Sequence, residues 1–393
     1  MKNLFCFLLI CSFLITGCEE KHAKRTEENP EKNETGGFEL IDSSKITDYN
    51  FSLKDFYSNN KNLEKRVNEI FNNLTDDERI AQMLITSSGS FGKPEDYVKS
   101  LIKNKKVGGA LLLGGSKERF SGMIRSFKET ADSVNSLPLI FSTDAEPSLI
   151  NKKISGLKRF SPTSTIRSVK ESESVGNEIS EILNSIGFNQ NYAPVCDFPI
   201  NKEIIGDRSF GKNESELIKF AESFIKVTQS NNIIATAKHF PGHGNVNGDS
   251  HKEIVYIKGE LKELNVFMEM IDAGVISIMV GHIAIDNNKK YNTDGFPSTL
   301  SRKIITDLLK NELGFKGLVI TDAMNMEAVT KFQSPSLKAI EAGCDMVLMP
   351  SDEVKLINSV KEEMKRNNEF KEQVYDSVRK VIRVKVCFGI QKK

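Results

Sequence analysis

Residues 233–244 read Ile-Ile-Ala-Thr-Ala-Lys-His-Phe-Pro-Gly-His-Gly, a short apolar run that gives way to charged and imidazole side chains and then to a Pro-Gly turn. A near-continuous apolar run predicts a strand that is buried on both faces, which is typical of a parallel sheet covered by helices. The Pro and Gly that follow predict a loop at the carboxyl end of the strand. The stretch therefore predicts an α/β fold with polar side chains where a parallel strand ends.

The same alternation of short apolar runs and longer segments of helical period recurs along the chain. The eight runs are 82–86, 109–113, 139–143, 190–195, 233–238, 276–280, 318–321 and 346–349. Residues 75–78, Thr-Asp-Asp-Glu, form a capping box at a helix start, and Gly187 and Gly314 stand where left-handed helix caps are expected. Eight strands with helices between them favour a single TIM-type (β/α)8 barrel; a doubly wound open sheet has the same periodicity and remains the alternative.

The composition is that of a globular protein, with 54 Lys and Arg against 53 Asp and Glu and 39% hydrophobic residues in 393. It excludes a fibrous, wholly disordered or multi-span membrane protein. The net charge of +1 supplies no long-range field for a polyanion, and the sequence has no local basic patch. We therefore expect no nucleic-acid partner, while the oligomeric state stays open.

The amino terminus has the features of an export signal. Met1-Lys2-Asn3 precedes an apolar run over residues 4–15, which is shorter than the ~20 residues a membrane helix needs. The ending Leu14-Ile15-Thr16-Gly17-Cys18 resembles the bacterial lipobox, whose Cys is acylated. An uncleaved anchor is the alternative, and both place the rest of the chain outside the cytoplasm. We expect a lipoprotein of the bacterial cell envelope, anchored to a membrane through Cys18.

Three segments follow from these signals. Residues 1–17 are predicted to be a lipoprotein signal peptide and residues 18–61 a flexible tether, because that stretch is rich in Glu, Lys and Asn. Residues 62–393 are predicted to be the barrel domain. The cysteines beyond Cys18, namely Cys196, Cys344 and Cys387, are odd in number and widely spaced, which argues against a disulfide framework or a zinc ribbon.

Barrel enzymes build their sites at the carboxyl ends of the strands. Polar residues directly after the apolar runs are Asp144, Asp197, Lys238, His239, His282 and Asp322. One such residue alone is most simply a helix cap, and their convergence is the stronger signal. We expect His282 to be a hydrogen-bonded core residue.

Three of the five histidines lie in residues 238–251. One interpretation is a metal site, because His239 and His243 are four residues apart; that spacing aligns two ligands only on a helix, and the Pro-Gly turn argues against one. The other is a catalytic dyad in which Asp249 orients His251, whose imidazole gives and takes a proton near neutral pH. Asp322 ends the run 317–321, and a carboxylate there is a candidate nucleophile toward a sugar anomeric carbon.

Over residues 75–387 the chain resembles the bacterial β-N-acetylglucosaminidases of glycoside hydrolase family three. The similar motifs are residues 191–197 (Asn-Tyr-Ala-Pro-Val-Cys-Asp), 207–211 (Asp-Arg-Ser-Phe-Gly), 238–244 with 249–251 (Asp-Ser-His), 319–324 and 342–346. In that family the Asp-Ser-His element marks the N-acetylglucosaminidase branch and is absent from the β-glucosidases. The resemblance also implies the (β/α)8 barrel.

The resemblance implies retaining hydrolysis of terminal β-linked N-acetylglucosamine from peptidoglycan fragments or other glycans, with no cofactor or metal. Asp322 would be the nucleophile, and His251, oriented by Asp249, the acid/base. The residues implied in holding the sugar are Asp144, Arg208, Lys238 and His239. A phosphorylase on the same fold, a metal-dependent hydrolase and a non-catalytic glycan-binding lipoprotein remain as alternatives.

The sequence departs from the family pattern after Asp144-Ala145-Glu146. The family usually has two glycines there and then an Arg, whereas Pro147-Ser148-Leu149 follows here. Because Pro fixes φ and lacks an amide proton, we expect this loop to take another path, with consequences for sugar specificity. The chain has no Trp, so we expect sugar stacking from a Phe or Tyr such as Phe210 or Phe240.

Overall fold

Eight parallel strands close into a barrel in the computed structural model, which describes residues 51–246, 248 and 253–388. The barrel strands are β1 (Leu84–Gly89), β2 (Gly109–Leu113), β3 (Ile140–Thr143), β4 (Gln190–Asn191), β5 (Ile234–Phe240), β6 (Ser277–Val280), β7 (Leu318–Thr321) and β8 (Val347–Leu348). Neighbours in the chain are neighbours in the sheet. β8 pairs with β1, and a bridge from Ile320 to Met346 joins β7 to β8. This closure confirms the (β/α)8 barrel and excludes the doubly wound open sheet.

Every predicted run overlaps one observed strand, and the fourth run differs most. β4 covers only Gln190–Asn191 of the predicted 190–195. Pro194 has no N–H to donate to the sheet, so regular pairing stops before it. Irregular hydrogen bonds to β5 continue nonetheless, from Thr236 N to Ala193 O at 2.9 Å and from Lys238 N to Pro194 O at 3.1 Å. They hold the end of β4 beside the polar end of β5.

Helices cover the outside of the barrel. They are α1 (Lys61–Asn72), α2 (Asp76–Ala81), α3 (Glu95–Lys103), α4 (Lys117–Ser133), α5 (Val169–Ile186), α6 (Glu214–Ser230), α7 (Leu264–Asp272), the π-helical α8 (Lys303–Glu312), α9 (Pro335–Ala342), α10 (Glu353–Arg366) and α11 (Asn368–Cys387). Single helical turns lie at Leu53–Asp55, Ile150–Lys153, Thr163–Thr165, Gly206–Arg208, Ser298–Leu300 and Glu327–Thr330. Short strand pairs outside the barrel join Gly115–Ser116 to Ile154–Ser155 and Val255–Lys258 to Ile283–Asp286.

The helix ends follow the local sequence. Thr75 accepts a hydrogen bond from Glu78 N while the Glu78 carboxylate accepts one from Thr75 N, so the predicted capping box opens α2. Gly187 caps α5 with φ of 105°. Gly314 follows α8 with φ of 69°. No helix in the described part of the chain is long and apolar enough to cross a membrane.

The folded body begins earlier than the predicted boundary at residue 62. Leu53 and Phe56 are buried, and Tyr57 donates a hydrogen bond of 2.6 Å to Val275 O at the amino end of β6. The tether prediction is therefore wrong for residues 51–61, because Leu53 and Phe56 pack in the core and side chains such as Tyr57 and Arg383 bind the stretch to the folded body. The predicted signal peptide, Cys18 and the rest of the tether lie outside the described residues.

Candidate active site

A cavity of about 1500 Å³ opens at the carboxyl ends of the barrel strands. The predicted residues that line it are Asp144, Arg208, Lys238, His239 and Asp322. They come from the end of β5 and from loops after β3, β4 and β7, so the barrel brings together side chains that are up to 178 positions apart, from 144 to 322. Asp249 and His251 lie outside the described residues, and their assigned roles stay predictions.

A cluster of four charges lies at one wall of this cavity, and three of them, Asp144, Arg208 and Lys238, line it. Lys238 Nζ lies 2.9 Å from Asp144 Oδ1 and 2.6 Å from Glu146 Oε1. Arg208 donates to the two oxygens of Glu146 at 2.9 and 2.8 Å. The side chains of Lys238 and Glu146 are only 2% and 1% exposed. Buried charges are tolerated when each is paired in this way, and two cations balance two anions here.

The pairing keeps all four groups ionised near neutral pH. Burial by itself raises the pKa of Glu146, but the charges of Arg208 and Lys238 outweigh it and bring the pKa to about 2. The pKa of Asp144 is also lowered: burial opposes ionisation, and Lys238 and Lys153 overcome it. Burial favours a neutral Lys238, yet the two carboxylates raise its pKa above the usual value. The cluster therefore presents fixed charges for hydrogen bonding and holds no proton to give.

The unusual loop after Asp144 leaves that residue in the site. Residues Ile150–Lys153 form one helical turn, and Lys153 Nζ lies 3.6 Å from Asp144 Oδ2. Ser148 donates to Asp207 O at 2.6 Å, which joins this loop to the one after β4. Asp144 consequently has an ammonium group beside each of its two oxygens.

The carboxylate of Asp197 holds the histidine loop, residues 239–244 at the end of β5, in place. Its carboxylate accepts from His243 N at 2.7 Å and from His239 N at 3.2 Å, and it lies 2.6 Å from His239 Nδ1. Asp197 is fully buried. Burial raises its pKa, but His239 and His243 more than compensate, so the pKa is lowered. An ionised Asp197 places a proton of His239 on Nδ1 and leaves Nε2 for other partners.

Asp322 stands directly after β7 on the cavity wall. Its backbone N donates to Val280 O at 2.9 Å, and its Oδ1 accepts from Ala323 N at 2.7 Å. These contacts fix the carboxylate at the barrel mouth. Burial lowers the pKa of nearby His243, while the charges of Asp197 and Asp322 act in the opposite direction.

Of two expectations about side chains at this end, one is wrong and one is confirmed. Phe210 and Phe240 are buried and pack on Phe224 and Phe267, so the prediction that either stacks on a sugar is wrong. His282 is buried as expected, with Nδ1 2.8 Å from Thr299 Oγ1 and Nε2 3.0 Å from Ala323 O.

Sequence reasoning also left Glu146 without a role. The position of Glu146, two residues after Asp144, was a sequence signal for a role in the site. Only the structure shows that Glu146 joins Arg208 to Lys238. Among the described residues, no group of three or more His, Cys, Asp or Glu side chains is arranged to hold a metal ion. His239 and His243 instead share Asp197.

Comparison with known proteins identifies the family. Residues 75–384 match the glycosyl hydrolase family 3 N-terminal domain. The chain belongs to glycosyl hydrolase family 3. This membership confirms the predicted family and makes the chain a glycosidase.

The alignments with individual family 3 relatives extend over 64% to 81% of this chain. A β-hexosaminidase of Nitrosomonas eutropha is 29% identical over an alignment 272 residues long, which covers 64% of this chain and 76% of the relative. β-Hexosaminidase A of Pseudoalteromonas piscicida is 30% identical over an alignment 290 residues long, which covers 64% of this chain and 47% of that protein, so the chain spans about half its length. The structure of a family 3 β-N-acetylglucosaminidase from Paenibacillus sp. superposes with a TM-score of 0.70 at 25% identity, over 81% of this chain and 64% of that one.

Proposed function

We propose that this protein is a retaining glycosidase that releases terminal, non-reducing β-linked N-acetylglucosamine. The observation that carries the proposal is that Asp322 lines the same cavity as Asp144, Lys238 and Arg208, the three members of the charged cluster that reach it. The names of the family 3 relatives, β-hexosaminidase and β-N-acetylglucosaminidase, support this substrate.

The charged cluster suits the sugar. Asp144 keeps part of its carboxylate exposed and accepts from hydroxyl groups, whereas Arg208 donates and the unprotonated Nε2 of His239 accepts. Hydrogen bonds to ionised groups are stronger than neutral ones, so a few of them hold the ring in place for attack. Glu146 makes no such contact itself, because Arg208 and Lys238 occupy it.

The ionisation states of the carboxylates bear on which residue is the general acid. Glu146, with a pKa of about 2, and Asp144, with its lowered pKa, are ionised near neutral pH and unsuited as general acids. We assign the acid to His251, oriented by Asp249. Asp322 attacks C1 while His251 protonates the leaving oxygen; the neutral His251 then takes a proton from the water that opens the glycosyl-enzyme.

The substrate test uses aryl β-N-acetylglucosaminide, aryl β-glucoside and a muropeptide, each with and without phosphate. We expect turnover of the N-acetylglucosaminide, release of free N-acetylglucosamine from the muropeptide and no effect of phosphate. A preference for the glucoside overturns the substrate assignment. Formation of sugar 1-phosphate would show that the enzyme is a phosphorylase and not a hydrolase. Binding without turnover would show that the protein is a non-catalytic glycan-binding protein.

Two variants test the residue roles. Asp322→Asn is expected to lose nearly all activity on every substrate. His251→Ala is expected to lose about 10² to 10⁴ in rate on sugar leaving groups and much less on an activated phenolate, which departs unprotonated. Equal losses on both substrates remove His251 from the acid role. Asp132→Asn, exposed on α4 and remote from the cavity, is the matched control and should keep wild-type rates.

We further propose that Cys18 carries lipid and anchors the enzyme in the bacterial cell envelope. The sequence of residues 14–18 supports this. Metabolic labelling with a palmitate analogue in a bacterial host should label the wild type in the membrane fraction. Cys18→Ser should lose both the label and the membrane association; a labelled Cys18→Ser protein contradicts the site.

A further inference from the structure

The cavity has two chemically different sides. The end of β5 and the loops after β3 and β4 supply its charged side, with the sugar-binding cluster. The side formed by β1, β2 and β8 is apolar and is lined by Phe91, Leu111, Leu113, Leu348 and Met349. Strands β1 and β5 lie on opposite sides of an eight-stranded barrel, so the apolar side faces the charged one across the mouth.

Phe91 is the most unusual member of the apolar side. Its side chain is 79% exposed. Among the large apolar residues that are exposed in the described part of the chain, it alone lines this cavity. An aromatic ring left in water at the rim of a binding cavity points to an apolar ligand surface.

The backbone around Phe91 is held from both sides. Phe91 N donates to Leu113 O at 3.2 Å, and Ser90 N donates to Gly114 O at 3.0 Å. The Lys93 ammonium binds both oxygens of the buried Glu353 at 2.6 and 2.7 Å. The segment is thus tied to the loop after β2 and to the start of α10, and an ordered ring costs less entropy to bind against.

The ring also rests on a glycine. A Cβ atom at Gly114 would come within 2.6 Å of Phe91 Cδ2, and Gly114 itself has φ of 69°. A side chain at Gly114 would therefore displace the ring. The close approach of the ring to Gly114 fixes its place while most of its surface stays accessible.

We propose that Phe91 is a stacking platform for the leaving-group sugar, a pyranose ring linked to the scissile oxygen. This inference rests on the proposed glycosidase function. The cavity volume of about 1500 Å³ exceeds the roughly 300–1,000 Å³ of ordinary small-molecule sites, so it has room beyond one sugar. The C–H face of a pyranose is apolar and matches a phenyl ring, and the chain has no Trp to serve instead.

The test separates the two sides of the cavity with two probes. N,N′-diacetylchitobiose occupies both, and methyl β-N-acetylglucosaminide, used as a competitive inhibitor, occupies only the charged side. For Phe91→Ala we expect the KM of chitobiose to rise about threefold to tenfold, the size of an aromatic contact, while the Ki of the methyl glycoside stays within twofold. Phe91→Tyr keeps the ring and should keep the wild-type KM.

Phe296→Ala is the matched control, because Phe296 is also an exposed ring but lies outside the cavity. An unchanged KM in Phe91→Ala, or equal changes for both probes, overturns the platform. If the wild type hydrolyses neither compound, the proposed function fails; calorimetric binding of chitobiose to wild type and Phe91→Ala then still decides the platform, which is refuted when the two bind equally.

Discussion

Arg208 donates two parallel hydrogen bonds to Glu146, from Nε to Oε2 at 2.9 Å and from Nη2 to Oε1 at 2.8 Å. The fork of the guanidinium fits the carboxylate and fixes the plane of both groups. Lys238 binds the same carboxylate at 2.6 Å. Glu146 is thus the common partner of two cations, one on the loop after β4 and one near the end of β5, and it determines where both stand before substrate enters.

We predict that Glu146→Gln reduces kcat/KM by about 10²-fold or more and lowers the free energy of unfolding by about 3–5 kcal/mol, because the isosteric amide leaves buried positive charge without its counterpart. Steady-state kinetics and urea denaturation measure the two effects. Glu203→Gln, an exposed carboxylate at the same rim, should change kcat/KM less than threefold. Wild-type kinetics in Glu146→Gln would show that Lys238 and Arg208 need no common anchor.

The strand pattern predicted the barrel because parallel strands and their helices carry local signals. Every run from 82–86 to 346–349 became a strand, since an apolar run of that length has few other ways to be buried. The same locality predicted which residues lie at the strand ends. Asp144, Lys238 and Asp322 line one cavity because the carboxyl ends of all the barrel strands lie at the same end of the barrel.

What the sequence did not predict depends on contacts between distant residues. Glu146 shows no local mark of serving both Lys238 and Arg208. Phe210 and Phe240 look as available for stacking as Phe91 does, and only packing against Phe224 and Phe267 separates them. Residues 51–61 have the composition of a tether, and their docking depends on partners more than 200 positions away, such as Val275.

Lys153 lies beside Asp144 in the loop that departs from the family pattern, at 3.6 Å. Its side chain is 31% exposed, and an ion pair open to water contributes up to about 1 kcal/mol. We predict that Lys153→Met raises KM by about twofold to fivefold and leaves kcat unchanged, since Lys238 still binds Asp144. Lys152→Met, at the exposed neighbouring position, is the control and should match the wild type. A tenfold loss of kcat in Lys153→Met would assign Lys153 a role in the chemical step.

Glu263 supports the histidine loop through its Oε1, which accepts from Phe198 N at 2.6 Å and from Gly244 N at 3.0 Å. Burial, reinforced by the charge of Asp197, raises the pKa of Glu263 to about 8. The folded protein therefore keeps a proton that the unfolded chain releases near pH 4.5. The free energy of unfolding is expected to fall between about pH 4.5 and pH 8 on account of this group.

Glu263→Gln retains an acceptor oxygen and nearly the same volume but does not titrate. We predict that wild-type stability falls relative to this variant as the pH rises from 4.5 to 8. Urea denaturation at several pH values measures the difference. Glu263→Ala should lose stability at every pH, because two buried N–H groups lose their acceptor. Parallel pH curves for wild type and Glu263→Gln would mean that Glu263 is ionised throughout.

Lys385 lies at the opposite, amino-terminal end of the barrel, where its Nζ donates to Gln82 Oε1 at 2.6 Å and to Gly108 O at 2.8 Å. It is 1% exposed, and burial lowers its pKa to about 7. The unfolded chain holds this proton up to pH 10.5, so between about pH 7 and pH 10.5 it binds more protons than the folded chain. The free energy of unfolding should rise with pH across that window.

We predict that Lys385→Met removes this rise and leaves kcat/KM unchanged, because the residue lies far from the cavity. The slope is the measurement of choice, since Met also leaves Gln82 and Gly108 without a donor and lowers stability at all pH values. Urea denaturation from pH 7 to pH 10 gives the slope. Lys365→Met, an exposed lysine on α10, should retain the wild-type slope. If Lys385→Met also keeps the wild-type slope, Lys385 remains protonated in the folded protein. The oxygens of Gln82 and Gly108 would then stabilise its charge more than burial destabilises it.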